Sequence, residues 1–293
     1  MSTGSVGWIA ADVLIDEVAP AGRAPTRRRR ARPRLWRVSI LLLAFIYFIG
    51  PLVSAFKYSL IQADGSYGFG NYWKIVNSSA ILTALATSLE IAGIAAVVVV
   101  TLMLPTVVWV RLRRPKLTLL LEGVTLLPIV IPPVVVAAGL EQMQRSAPSW
   151  VVSLLFNHAL TGLTPFYIVL AMPFTYRALD TGVRAIDLRT LVDASRSLGA
   201  SWFTTMTRVI LPNVQTAVLG AMFLTIALCL GEVVIANLLL YQTFPVEIIQ
   251  QSLAGTAGIA VALSNLSLVF TFVLLFSLSF VGSRRSGRAS RVF

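Results

Sequence analysis

The chain has 293 residues, 57% hydrophobic and only 12% charged, with a formal net charge of +12. Soluble domains carry about 25% charged residues, so this is the composition of a polytopic membrane protein, and the placement of the basic residues described below argues against nucleic acid as the partner. A single cysteine, Cys229, and a single histidine, His158, exclude an intrachain disulfide and a thiolate or imidazole metal cluster, and no GxxxxGK[ST] phosphate loop is present.

Residues 1–37 are polar and end in the arginine-rich run Thr26–Arg34, without apolar periodicity, which predicts a disordered basic N-terminus. Ser39–Leu60 follows as an apolar run with no small-residue cleavage site, so it reads as a retained first span rather than a signal peptide. Five further spans are predicted at Ile81–Val110, Leu117–Leu140, Leu160–Tyr176, Val214–Leu240 and Ile259–Val281. Each approaches or exceeds the about 17–25 residues that cross the hydrocarbon core. Backbone groups in lipid must be satisfied internally, which makes the spans helices. The expected fold is therefore an all-α integral membrane domain over residues 38–283, with a basic tail at 284–293.

Pro128, Pro132 and Pro133 interrupt the third span. Prolines free backbone carbonyls and bend helices, so the break either lines a cavity or is a packing kink.

The basic residues orient the spans. Eight arginines lie between Arg23 and Arg37, four basic residues in Arg111–Lys116, five arginines between Arg177 and Arg208, and four after Gly282. A six-span arrangement puts all of them on one side and leaves only Lys57, Lys74 and Arg145 elsewhere. By the positive-inside rule both termini are cytoplasmic. The N-terminal arginines then read as an orientation signal and a contact with anionic membrane lipid, not as a nucleic-acid site.

Between spans four and five, residues 178–212 form a polar cytoplasmic loop that is not turn-rich. Ile186, Leu188, Leu191, Val192, Ser195 and Leu198 recur at near-helical spacing among Asp187, Arg189, Asp193 and Arg196. Gly199 is suited to end that helix with a sharp turn. Ser201 is suited to cap a second short helix carrying Trp202, Phe203, Met206, Val209 and Ile210. Pro212 fits the first turn of the following membrane helix, where its missing N–H costs nothing.

This segment resembles the "EAA" coupling loop of type I ABC importer permeases: Glu-Ala-Ala, three residues, Gly, about nine residues, then Ile-x-Leu-Pro. Asp193-Ala194-Ser195 stands in the Glu-Ala-Ala place, Gly199 matches the glycine, and Val209, Leu211 and Pro212 match the closing motif. Asp replaces Glu, and Ser replaces the second Ala. The resemblance extends over about Phe69–Val281 and implies a six-span permease whose coupling residues are Asp193, Ala194, Ser195, Leu198, Gly199, Ala200, Leu211 and Pro212. It also implies a dimer of ATPase subunits as partner, a second permease subunit and an extracytoplasmic solute-binding protein. ATP would be bound by the partner, with no cofactor and no catalysis on this chain.

Within that family the chain resembles the spermidine/putrescine branch, through Phe69-Gly70-Asn71-Tyr72, Ala185-Ile186-Asp187-Leu188 and Leu228-Cys229-Leu230-Gly231-Glu232. Thiamine, ferric iron, phosphonate or an amino acid are the alternative solutes for the same machine. An ATPase-independent carrier or channel is the remote alternative, and no nucleophile–base pair supports an intramembrane enzyme. Glu232 sits between apolar Ala227–Leu230 and Val233–Ala236. An acid there costs about 2.5–3.5 kcal/mol on insertion scales and faces either an aqueous path or a protein interior. Glu232, Pro132 and Asn237 are the candidate translocation-path residues, with Glu90 and Glu122 behind them. Glu232 and Asn237 lie about 140° apart on a regular helix, so they need not share a face.

Overall fold

The computed structural model describes the backbone of residues 35–289 and the side chains of residues 36–273, 276 and 277. The predicted disordered N-terminus falls outside the described residues up to residue 34, as do the side chains of the basic tail 284–293. The chain divides into two units, residues 1–49 and residues 50–293. In the first, the described part is helical from Leu35, so residues 35–37 belong to the first helix rather than to the polar terminus. The Arg37 guanidinium lies 5.6 Å from the centre of the Trp36 ring, a cation–π contact of the sort found where a helix enters the interface.

In chain order the helices are α1 (Leu35–Ser59), α2 (Gly70–Asn77), α3 (Ser79–Arg113), α4 (Thr118–Val130), α5 (Pro133–Ser146), α6 (Ser149–Leu155), α7 (Ala159–Arg184), α8 (Leu188–Ser197), α9 (Trp202–Thr204), α10 (Leu211–Asn213), α11 (Gln215–Gly231), α12 (Val234–Leu238), α13 (Phe244–Leu253) and α14 (Ala257–Ala289). Among the described residues there is no strand, only an isolated bridge between Ile61 and Tyr67. Trp36–Ser59, α3, α7 and the stretch Gln215–Leu238 are each long and apolar enough to cross a bilayer. The predicted third span is two helices: Pro115–Val130 and Pro133–Ser146 meet at 81°. The two prolines that start α5 account for the bend, since neither can donate the N–H that would continue α4. α14 is apolar over Ala257–Val273 and continues as helix to Ala289.

The centre of the second unit is the triple contact of α3, α7 and α11. Small residues make it close. A Cβ on Gly182 of α7 would collide with Ala217 of α11, and Ala92, Ala95, Ala96, Ala171 and Ala221 are buried. A buried hydroxyl pair, Thr175 with Thr225 at 3.0 Å, joins α7 to α11 where lipid offers no alternative partner. Away from the basic end, Asn71 is buried and its side-chain amide donates to the carbonyls of Ser59 (2.9 Å) and Ile61 (2.8 Å), fixing the chain entering α2 against the end of α1.

Candidate functional site

At the other end of α7, the residues Arg184 to Pro212 build a projecting helix–turn. The Asp187 carboxylate caps α8: it accepts from the Thr190 backbone N–H at 3.4 Å and from the Thr190 hydroxyl at 2.7 Å. The hydroxyl bond first, and the backbone bond second, hold the Asp187 carboxyl below its ordinary value. α8 is amphipathic as the spacing predicts. Leu188, Val192 and Ser195 are buried, while Arg189, Asp193, Ala194, Arg196 and Leu198 are exposed.

Gly199 ends the helix with φ +80°, and no atom lies near the place of a Cβ. The turn is closed by the Gly199 N–H donating to Arg196 O (3.0 Å) and the Ala200 N–H donating to Ser195 O (3.2 Å). Ser201 then caps α9 by accepting from the Thr204 N–H at 3.2 Å, as its position predicts.

The return differs from the expectation. Thr205–Ile210 is wound as a π-helix, and Pro212 sits in the three-residue α10 rather than in the first turn of the membrane helix, which starts at Gln215. The cause is local. Val214 leaves helical geometry at φ −107°, ψ 13°, and the carbonyl of Val209 is taken by the Asn213 side-chain amide at 2.7 Å. Single π segments of this sort concentrate at functional positions.

The helix–turn is seated on the bundle by both chemistry and packing. The Ser195 and Thr205 hydroxyls meet at 2.9 Å in a buried pair joining α8 to the π segment. Leu188, Val192, Met206 and Ile210 share one apolar cluster with Val107 and Val108 of α3, Leu179 and Val183 of α7, and Val214 and Val218. Beside them buried Asp180 accepts from Arg111 Nε of α3 (2.7 Å) and from Arg184 Nε (2.9 Å). Of the predicted coupling residues, Asp193, Ala194, Ser195, Leu198, Gly199 and Ala200 lie together on this one projection. Leu211 and Pro212 lie exposed on the return. Asp180 and Thr205 escaped the sequence reading. The available signal was an acid between Arg177 and Arg184 at the apolar-to-polar boundary.

The second candidate region is the fifth predicted span, and here the continuous helix is corrected. α11 stops at Gly231, Glu232 is extended at φ −80°, ψ 122°, and α12 restarts at Val234. Glu232 is buried, its Oε1 accepting from the Ile235 N–H at 2.9 Å and its Oε2 from the Tyr167 hydroxyl at 2.8 Å. The acid therefore caps α12 and ties it to α7. Asn237 is exposed on α12. Pro132 is exposed and extended at φ −58°, ψ 135°, at the α4–α5 bend. α12 packs on α5, with Ala137, Leu140, Ile235, Ala236 and Leu239 in one cluster with Leu163 and Tyr167. The two broken spans thus meet. Tyr241 donates to Phe156 O at 2.8 Å, and only a glycine at 162 leaves its ring that room.

Glu90 is exposed on the same face of α3 as Thr83, Ala86, Ile94, Val97 and Thr101. Glu122 is half-buried and forms no ion pair among the described residues. His158 is exposed before α7, and no group of three metal-ligating side chains occurs among the described residues.

The profile of the binding-protein-dependent transport system inner membrane components matches residues 94–287. A probable molybdenum ABC transporter permease of Haloferax volcanii is 28% identical over 241 residues, covering 77% of this chain and 84% of the relative. The spermidine/putrescine transport system permease protein PotC of Escherichia coli K12 is 23% identical over 258 residues, covering 83% and 92%. Among solved structures, a bacterial ABC transporter importing the acidic polysaccharide alginate matches with TM-score 0.62 at 16% identity, covering 86% of this chain and 96% of that one. The alginate transporter in complex with its pentasaccharide-bound periplasmic protein also gives 0.62, at 16% identity over 85% and 94%. An amino acid ABC transporter with histidines gives 0.51 at 18% identity, over 75% and 99%. At these identities the structures establish likeness of fold.

Proposed function

The chain belongs to the binding-protein-dependent transport system inner membrane components, the permease subunits of ABC importers, and from that premise we propose that it is a six-span subunit worked from its basic, cytoplasmic end by a separate ATPase pair. A second permease subunit and an external solute-binding protein complete the machine. The observation that carries this reading is the α8–Gly199 projection, whose buried face is keyed into the contact of α3, α7 and α11. A push on the exposed Asp193, Ala194 and Leu198 reaches the helices through Val192, Ser195 and Thr205 rather than through a slack loop. ATP-driven closure of the partner favours one state of the bundle only through unequal affinity for the two states. In this reading the bent α4–α5 pair is one further span beyond the four long helices, and α14, apolar over Ala257–Val273, is the other.

For the solute we propose a polyamine. Glu90 supports it: a carboxylate within the apolar run of α3 is exposed along a stripe that includes Thr83, Ala86 and Thr101. Its burial in lipid would cost about 2.5–3.5 kcal/mol, so that stripe faces water, a solute or the second permease. Glu232, which reads as the stronger candidate in the sequence, is occupied by Tyr167 and Ile235 and acts as the fixed corner of the path, with Pro132 at the neighbouring bend. A second reading is favoured by the molybdenum-permease relative: an oxyanion cargo, which an ionised Glu90 would repel.

The test is ATP-dependent uptake of labelled spermidine and labelled molybdate in cells with and without the chain. Loss of spermidine uptake alone, restored by the wild type but not by Glu90→Gln, supports the polyamine reading. Loss of molybdate uptake alone replaces it with the oxyanion reading. Neither uptake depending on the chain removes both.

A further inference from the structure

Four charged side chains gather around buried Tyr176. The tyrosine lies one turn before Asp180 on α7, within electrostatic reach of Asp180, Glu122, Arg111 and Arg184 together. Asp180 accepts from Arg111 of α3 and from Arg184 of its own helix, so two guanidinium groups share one carboxylate and a positive charge is left over. Glu122 carries the charge that would balance it, yet among the described residues Glu122 forms no ion pair.

Glu122 is turned toward this cluster rather than away from it. On α4, Leu121 and Glu122 are half-buried and Thr125 is buried, whereas Leu119, Leu120, Val124 and Leu127 are exposed. α4 packs on α7, and Leu121 lies against the apolar cluster that holds Tyr176, Leu179 and Val183. Lys116 lines the open flank of α4 with Leu119, Leu120 and Gly123 instead. Arg184 has donors to spare. It reaches Asp180 through Nε alone, at 2.9 Å, and its side chain is 57% exposed. Arg111, by contrast, gives Asp180 both Nε and a terminal nitrogen. A guanidinium carries five donors in a fixed fork, so it can serve two carboxylates from different edges.

We propose that Glu122 is a switch residue of the coupling machinery: it takes the free edge of Arg184 when the bundle changes state, and so ties the bent α4–α5 pair to the root of α8. The proposal rests on the ATPase-coupling reading given above. Arg184 ends α7 just before the Asp187 cap of α8, while α4 hangs from α3 by the short turn Pro115–Leu117. A push on α8 therefore moves Arg184 relative to Glu122. The pair is unmade in this structure, and a pair made in only one state supplies the unequal affinity by which an ATPase drives the change.

The test joins the two positions. Glu122→Cys/Arg184→Cys is made in the full chain, whose native Cys229 is buried. Membranes holding the whole transporter are treated with a short bismaleimide, with and without a non-hydrolysable ATP analogue, and the intrachain product is measured by mass spectrometry. Its yield should rise about fivefold or more with the analogue. Equal yield in both conditions, or no product in either, overturns the proposal. Leu198→Cys, probed in the same membranes for capture of the ATPase, separates the two levels. Capture at 198 with an unchanged 122–184 yield sinks the switch alone, and no capture with an unchanged yield removes the coupling reading as well. Glu122→Gln tests the charge itself. It loses no ion pair of this structure, so its thermal stability should match the wild type, whereas Asp180→Asn leaves both arginines without a counter-charge and should lower it. Uptake of labelled spermidine or molybdate, whichever the wild type carries, should fall about tenfold in Glu122→Gln while ATP hydrolysis continues. Wild-type uptake by Glu122→Gln, or a stability loss equal to that of Asp180→Asn, overturns the proposal.

Discussion

The chain interrupts its helices twice with the same device, once in a polar setting and once in an apolar one. At Asp187 a carboxylate accepts the backbone N–H three residues on and starts α8 at an exposed position. At Glu232 a carboxylate accepts the backbone N–H three residues on and starts α12 in the interior, with the Tyr167 hydroxyl as its other partner. The difference teaches what each cap is for. In water an unmade cap is replaced by solvent, so Asp187 tunes where α8 begins. In the interior nothing replaces it, so Glu232 decides whether the α11–α12 corner exists.

The comparison is most sharply tested by Glu232→Leu, which strands the Ile235 N–H and the Tyr167 hydroxyl in the core. We expect a loss of about 2–5 kcal/mol, seen as a collapse in folded yield and thermal stability. Glu232→Gln keeps an acceptor for Ile235 and an amide for the tyrosine oxygen, and should be recovered at near wild-type yield. If the glutamine form folds yet fails to take up spermidine, Glu232 touches solute after all.

Next in size is Gly199→Val. A β-branched residue at φ +80° costs about 1–3 kcal/mol, enough to reshape the turn while the bundle persists. ATP hydrolysis should continue while solute uptake drops about tenfold or more. Gly199→Asn, which tolerates the left-handed region and meets no neighbouring atom, should transport nearly normally. Normal uptake by the valine form would show that the turn does not transmit force.

Tyr167→Phe removes one of the two bonds to Glu232 and should cost about 1–2 kcal/mol by thermal unfolding.

The smallest effect belongs to Asp187. Its folded carboxyl value is depressed by the Thr190 bonds, so its contribution is present above the ordinary carboxylate range and is lost as pH falls through the depressed value. Amide exchange at the start of α8 should accelerate on acidification relative to Asp187→Asn, whose amide oxygen caps without titrating. An unchanged ratio between the two forms would remove Asp187 from the cap.

The same contrast explains what was legible in the sequence. The 178–212 segment stood out because its sequence changes from apolar to mixed: Arg189, Asp193 and Arg196 alternate with Leu188, Val192 and Ser195, and Gly199 fits the left-handed turn it makes. The break at Glu232 was hidden because apolar residues flank it on both sides, and hydropathy averages across a two-residue corner. The bend between α4 and α5 was legible as a proline break, but neither its 81° angle nor the packing of α5 on α12 is carried by a local signal. The π segment Thr205–Ile210 was invisible for a related reason: its residues suit an α-helix equally well, and the Ser195–Thr205 contact that steadies it is tertiary.

The central claim is that the α8–Gly199 projection is the surface on which an ATPase subunit acts. It is tested most directly by Leu198→Cys, because Leu198 is 88% exposed at the tip of the projection and the one native cysteine, Cys229, is buried. A short bismaleimide added to membranes of cells making the whole transporter should join Cys at 198 to a protein whose peptides include a Walker A sequence. A cysteine at exposed Trp73, at the other end of the bundle, should give no such product. Capture of the ATPase from position 198 and not from 73 is the predicted result. A well-labelled Leu198→Cys form that never crosslinks to it, in transporting membranes, would contradict the account.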